Sequence, residues 1–107
     1  MGEIEMADYV ETSEKLKYIR ENVPELSRLI QLGEECAELS AAIFKLCRKL
    51  RNDNPTPAME SEIKESIKEE FTDIQLCMDV LFEDFFDENG YEKKLCRWVE
   101  RLKGVKS

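Results

Sequence analysis

Apolar side chains recur at steps of three and four residues along a long stretch in the first half of the chain. The stretch follows Val23-Pro24 and extends to about Arg51, where turn-forming residues begin. Because an α-helix turns once in about 3.6 residues, this spacing places the apolar side chains on one wide stripe. The pattern predicts a helix from Pro24 to Arg51 that faces a core through Leu26, Leu29, Ile30, Leu32, Ala37, Leu39, Ile43, Phe44, Leu46, Cys47 and Leu50.

The segment before this long helix predicts a shorter first helix. Thr12 and Ser13 are typical N-cap residues, and the apolar positions through Ile19 keep the helical spacing. Val23 precedes a proline, which disfavours helical backbone, so we expect the first helix to end there. Residues 1–11 carry little periodicity and are expected to form a loosely ordered arm.

A third helix is predicted in the second half of the chain. Thr56 followed by Pro57 is typical of an N-cap and a first helical residue, and the apolar spacing then continues to about Asp87. Asn89-Gly90 is expected to stop this helix. Its buried side is predicted to carry Ile63, Ile67, Phe71, Ile74, Cys77, Met78, Leu81, Phe82 and Phe85.

A fourth helix is predicted from Tyr91 to Lys103, with Gly104 as a C-terminal signal. Trp98 is a candidate for stacking on a nucleobase, but on an amphipathic helix a tryptophan is more often part of the core, which we favour. The apolar face of this helix consists of Leu95, Trp98, Val99 and Leu102.

The composition agrees with a helical protein. The chain has 107 residues, of which 37% are charged, and contains only 4 Gly and 3 Pro. We therefore predict one all-α domain over residues 1–107, a bundle of about four helices. Because a chain of this size buries a modest core, we expect homo-oligomerisation to complete it.

The charge of −8 and the pI near 4.7 argue against a nucleic-acid polymer as partner, because its phosphates require clustered Lys and Arg. A single nucleotide stays possible, since a metal held by carboxylates reverses the local field. The acidic N-terminus lacks signal-peptide features, and no run of 18 apolar residues occurs. We expect a cytoplasmic protein without a membrane partner.

The cysteines and the absence of histidine exclude several metal sites. Cys36, Cys47, Cys77 and Cys96 form no C-x-x-C pair, and the chain contains 0 His, so a zinc finger is excluded and the thiols are expected to be reduced. The Glu-x-x-His pairs of di-iron bundles are excluded for the same reason.

Acidic residues interrupt the apolar rows of the second and third helices. Glu35 lies between Leu32 and Leu39 at steps of three and four, and shares a helix face with Glu38 and Glu34. In the third helix Glu70 takes a core-like place, and Asp73 follows one turn later. Buried carboxylates require cations, and ligand sets made only of oxygen suit Mg²⁺ or Mn²⁺. With 24 acidic residues in the chain either pair alone can arise by chance, but both together predict a metal site.

Glu34-Glu35-x-x-Glu38 followed by Glu70-x-x-Asp73 resembles the E-E-x-x-E and E-x-x-D motifs of the MazG-like nucleoside triphosphate pyrophosphohydrolases. The resemblance extends from about Leu26 to Leu102 and includes LGEECAELSAAIFKLCR, IKEEFTDIQLCMDVL and EKKLCRW. It implies a MazG-like helical bundle that forms dimers or tetramers. The implied reaction converts a standard or modified nucleoside triphosphate into the monophosphate and pyrophosphate.

The resemblance also implies roles for the acidic residues. Glu35, Glu38, Glu70 and Asp73 are implied to hold Mg²⁺, with Mn²⁺ as an alternative ion. Glu34 would orient or deprotonate the attacking water, or else ligate a second ion.

Basic residues of the fourth helix are the candidates for binding phosphate. Lys94, Arg97 and Arg101 fall at i, i+3 and i+7 and share one face, although the family's basic position aligns with either Lys93 or Lys94. A solvated face is an equally good interpretation of any one of them.

A rival hypothesis is an inactive helical dimer that binds a nucleotide, a metal or a protein partner in a regulatory role. The presence of all four implied metal ligands favours the enzyme, because an inactive relative should lose at least one of them without harm to folding.

Overall fold

The computed structural model describes residues 6–52 and 55–106 and contains four helices and no strand in those ranges. The helices are α1 (Met6–Asn22), α2 (Glu25–Arg51), α3 (Glu60–Leu81) and α4 (Glu88–Lys106). The prediction of an all-α protein with about four helices is confirmed for the described residues.

The boundaries of α1 and α2 follow the sequence signals except at the start. Helix α1 begins at Met6, so the N-cap predicted at Thr12-Ser13 is wrong. The loosely ordered arm predicted for residues 1–11 is helical from Met6 onward, and residues 1–5 lie outside the described residues. The Val23-Pro24 junction is confirmed, because Pro24 takes an extended conformation (φ −57°, ψ 146°) before α2. At the other end Asn52 adopts a left-handed conformation (φ 56°), which asparagine tolerates, and its N–H donates to the carbonyl of Arg48 at 3.0 Å.

The third helix is shorter than predicted at both ends. Met59 rather than Thr56 is the N-cap, and the helix ends at Leu81 rather than at Asp87. The six residues from Phe82 to Asp87 separate α3 from α4. Asn89-Gly90 was expected to stop a helix, but it lies in the first turn of α4.

The physical reason is the carboxylate of Asp87, which caps α4. The N–H of Gly90 donates to Asp87 Oδ1 at 2.9 Å, and the N–H of Tyr91 donates to the Asp87 carbonyl at 2.8 Å. A Cβ on Gly90 would lie 2.3 Å from Asp87 Oδ2, so a larger residue there would require the capping carboxylate to shift. Gly104 does not end α4 either, because the helix continues to Lys106.

The described helices pack as a three-helix unit with α4 at its side. Helix α2 packs along α3, α1 packs against α3 to a smaller extent, and α4 makes no extensive contact with the others in the described part of the chain. The buried core of these residues consists of Ile63, which is 2% exposed, and Val80, which is 5% exposed.

Most of the predicted core is exposed in the single chain. Trp98 is 64% exposed and Phe44 61% exposed, so the interpretation of Trp98 as core is wrong within one chain. The radius of gyration is 18.4 Å, against about 13 Å for a compact domain of this length. The other exposed members of the predicted apolar rows are Leu26, Leu29, Ile30, Ala37, Ile43, Cys47, Leu50, Phe71, Phe82, Leu95, Val99 and Leu102.

No helix in the described residues has the length and apolar character needed to cross a membrane.

Candidate metal site and basic helix

Three of the predicted metal ligands lie together where α2 packs along α3. One carboxylate oxygen from each of Glu35, Glu38 and Glu70 lies within 4.8 Å of the others. Glu35 and Glu38 are one turn apart on α2, and Glu70 faces them from α3 because it interrupts the apolar row through which α3 packs. The prediction that the two helices bring these carboxylates together is confirmed.

Two oxygens of this cluster are buried without a hydrogen-bond donor. Glu35 Oε2 and Glu70 Oε2 are both inaccessible to solvent, and neither accepts a hydrogen bond from a described group. An unpaired buried carboxylate oxygen is unfavourable, and a proton or a cation can relieve it. The site therefore has the donor set of a hard divalent cation, since all of its candidate ligands are oxygen atoms.

Electrostatics in the cluster oppose ionisation. Burial, together with the negative charges of Glu38, Asp73 and Glu70, raises the pKa of Glu35 to about 7. Burial is also the main reason that the pKa of Glu70 is raised, and the charges of Glu38 and Asp73 add to it. At neutral pH, without a cation, the cluster retains part of a proton.

Asp73 and Glu34 occupy less central positions. Asp73 is exposed and does not belong to the group of three, but its charge acts on both Glu35 and Glu70. It lies one turn beyond Glu70 on α3, at the rim of the cluster. Glu34 is exposed on α2 and is not part of the group either.

A cavity of about 120 Å³ adjoins the cluster and shares Glu35 and Asp73 with it. Its remaining walls come from α1, α2, α3 and the α1–α2 junction and are mostly apolar, although two long polar side chains of α2 contribute to them. Cys77 lies on the wall, where burial and the charge of Glu35 raise the pKa of its thiol. The other lining residues are Ile19, Val23, Arg28, Gln31, Leu76 and Val80.

Two arginines hold the end of α3 next to this cavity. Arg20 of α1 donates from Nε to the Val80 carbonyl at 2.9 Å and from Nη2 to the Asp79 carbonyl. Arg28 of α2 donates from Nη1 to the same Val80 carbonyl at 3.2 Å and from Nε to the Val23 carbonyl at 3.0 Å. The last carbonyls of a helix carry partial negative charge, so the guanidinium groups fix the ends of three elements together. Sequence reasoning missed both residues, because 60 and 52 positions separate them from Val80.

The predicted phosphate-binding residues form a separate site on α4. Lys94, Arg97 and Arg101 line an open groove of about 310 Å³ together with Trp98, and all four side chains are exposed. The charges that raise the pKa values of Glu35 and Glu70 belong to carboxylates, and Lys94, Arg97 and Arg101 do not line the cavity beside the cluster, whose described lining includes one basic residue, Arg28. Within one chain the structure brings the acidic ligands together but does not bring the basic residues to them.

The four cysteines are free thiols, as expected.

Comparison with known proteins gave no match. No family model, no curated protein and no solved structure is significantly similar to the chain.

Proposed function

We propose that this protein is a MazG-like, Mg²⁺-dependent nucleoside triphosphate pyrophosphohydrolase that works as a homo-oligomer. The observation that carries the proposal is the pair of buried, donor-free oxygens of Glu35 and Glu70 within a cluster of three carboxylates. Both residues also belong to the motifs Glu34-Glu35-x-x-Glu38 and Glu70-x-x-Asp73, whose resemblance to the MazG-like motifs implies this reaction.

The donor set fits Mg²⁺ and, as an alternative, Mn²⁺. Glu35, Glu38 and Glu70 supply oxygen ligands from two packed helices, and Asp73 at the rim adds a fourth carboxylate. When bound, the ion would screen the triphosphate charge and lower the pKa of coordinated water. Glu34, exposed beside Glu35, is the carboxylate that would accept the proton of the attacking water.

The cavity next to the cluster suits the uncharged part of a nucleotide. Its walls are mostly apolar, and its volume of about 120 Å³ is close to that of cavities that accept a single six-membered ring. Gln31 on its wall offers an amide, which can donate to and accept from the edge of a base. We therefore assign the base to this cavity and the triphosphate to the acidic cluster.

The direct test is hydrolysis of a panel of standard and modified nucleoside triphosphates with Mg²⁺, with products separated by chromatography. We expect a nucleoside monophosphate and pyrophosphate in equal amounts, and loss of both products with EDTA. Glu70→Gln should abolish the reaction. The matched control is Glu69→Gln, which removes the same charge from the neighbouring, exposed position of α3 and should retain activity.

Two results would contradict this assignment. A nucleoside diphosphate and phosphate as products would show that a different anhydride bond is cleaved. Absence of any product from folded, Mg²⁺-supplied protein would favour the rival function, a regulatory binding module. The exposed apolar side chains of α2 and α4 are the observation that supports that rival.

A further inference from the structure

We propose that the active site is completed by a second copy of this chain, whose α4 brings Lys94, Arg97 and Arg101 to the acidic cluster. This inference depends on the proposed function only for its catalytic readout. It rests on the exposure of α4, on the surface area of the single chain and on the distribution of charge.

Helix α4 is amphipathic but packs extensively against no other helix in the described part of its own chain. Every described side chain from Tyr91 to Gly104 is exposed, including Leu95, Trp98 and Leu102, which are spaced to share a face. A helix of this kind gains most of its stability from burying its apolar face. The apolar face of α4 therefore requires a surface that its own chain does not supply.

The surface area indicates that this partner is another copy. The chain exposes 9262 Å², whereas a compact monomer of 12.5 kDa would expose about 6,200 Å². The excess is about 3,000 Å² per chain, or about 6,000 Å² for two chains, which is enough to supply the roughly 2,000–5,000 Å² or more that obligate homodimers bury in total. Helix α2 offers an apolar surface for such an interface, because Leu26, Ile30 and Phe44 are exposed along it.

Charge favours the contact between α4 of one copy and the acidic bundle of the other. Helix α4 contains six Lys and Arg residues and three Glu, although the whole chain has a net charge of −8. The basic row Lys94, Arg97 and Arg101 lies beside the apolar row on the helix surface, so docking of one row places the other along the edge of the interface. In the described part of the chain none of the ion pairs involves these three residues.

The connection between α3 and α4 allows the exchange. Six residues, Phe82 to Asp87, join the two helices and can span about 20 Å when extended. The start of α4 is held by the Asp87 cap and by a contact between the rings of Phe86 and Tyr91, whose centroids are 5.9 Å apart. A two-fold arrangement makes the exchange reciprocal, so that each dimer contains two composite sites.

The first test of the composite site uses two native cysteines and does not require catalysis. Cys36 lies beside Glu35 on α2, Cys96 lies beside Arg97 on α4, and both are exposed. Protein labelled with ¹⁵N is mixed with unlabelled protein, refolded together, treated with a short bismaleimide and analysed by mass spectrometry. We expect Cys36–Cys96 pairs that join labelled to unlabelled chains. Absence of such mixed pairs would overturn the proposal.

Oligomeric state supplies the second test. Sedimentation should give at least twice the chain mass of 12.5 kDa for the wild-type protein. Leu95→Glu with Leu102→Glu should dissociate it and shift the Trp98 emission to the red, whereas Glu100→Lys on another face of α4 should leave the assembly intact. A wild-type monomer would overturn the proposal.

The third test is complementation between two inactive variants. Glu38→Gln damages the cluster, and Arg97→Gln damages the basic helix. In a refolded 1:1 mixture half of the dimers contain both chains, and each of these has one intact composite site, so about one quarter of the wild-type activity should return. No return of activity would show that each cluster uses the α4 of its own chain. If the wild-type protein is inactive while cross-linking and sedimentation succeed, the proposed reaction fails but the exchange of α4 stands.

Discussion

Arg20 should be a major contributor to stability although it lies on α1, most of whose described side chains are exposed. Its guanidinium donates two hydrogen bonds to the carbonyls of Val80 and Asp79 at the end of α3, and Val80 is only 5% exposed. A hydrogen bond to a charged group contributes about 1.5–3 kcal/mol, and the favourable charge at a helix C-terminus adds about 0.3–1 kcal/mol. Since the contact is partly buried, we expect Arg20→Met to lower the free energy of unfolding by about 2 kcal/mol.

Urea denaturation followed by circular dichroism measures this loss of unfolding free energy. In thermal unfolding at one fixed protein concentration, Arg20→Met should lower the melting temperature by roughly 10 °C for a chain of this length. Lys17→Met on the same helix is the control, because Lys17 forms only an exposed ion pair with Glu21, at 3.7 Å. The control should lose about 0.5 kcal/mol or less. Equal losses in the two variants would refute the role of Arg20 in holding α1 to the end of α3.

Three further predictions concern the candidate site. The pKa of Glu35 is raised from 4.5 to about 7 in the folded protein, so its contribution to the free energy of unfolding is complete below pH 4.5 and is lost as pH rises towards about 7. Without metal the melting temperature should therefore fall over that range, and Glu35→Gln should make the melting temperature depend less on pH. Mg²⁺ should raise the melting temperature of wild-type protein and of Glu69→Gln but not of Glu70→Gln, and an equal rise in all three would place the ion elsewhere. Leu76→Trp should fill the cavity and raise KM for nucleoside triphosphates more than for inorganic triphosphate. Equal increases in the two KM values would show that the base does not bind in that cavity.

The sequence was sufficient for the parts of the structure that depend on local periodicity. The stripe on α2 and the position of Glu35 within it follow from side chains a few residues apart, and the same holds for Glu70 on α3. Since both carboxylates replace core residues on helices that pack together, their meeting could be predicted without knowing any distance. Asp73 was predicted as a fourth ligand, but it is exposed and lies outside the group of three, on which it acts through its charge.

Helix ends were predicted less well because the same short sequence can end one helix or lie in the first turn of the next. Asn89-Gly90 follows the end of one apolar row and precedes another, and such a pair is compatible with a helix stop. The carboxylate of Asp87 decides the matter, because it accepts the N–H of Gly90 and so begins α4. That outcome depends on backbone geometry over four residues, which periodicity does not contain.

Contacts between distant parts of the chain had no signal in the sequence. Arg20 and Arg28 resemble any other basic residues on an exposed helix face, and only the packing of α3 shows that they hold its last carbonyls. The basic residues of α4 were correctly grouped on one face, but their separation from the acidic cluster depends on the six-residue connection.

The position of the acidic cluster at the contact between α2 and α3 has an energetic consequence for the protein as a whole. Glu35 and Glu70 occupy places where apolar side chains would strengthen the only extensive helix–helix contact of the described residues. Their ionised forms oppose that contact, and a cation bound between the helices would reverse the effect. Binding of a metal would therefore stabilise the same contact that positions the ligands. In a chain whose described core contains only Ile63 and Val80 as fully buried side chains, such coupling would make the stability of the fold depend on the ion that the site binds.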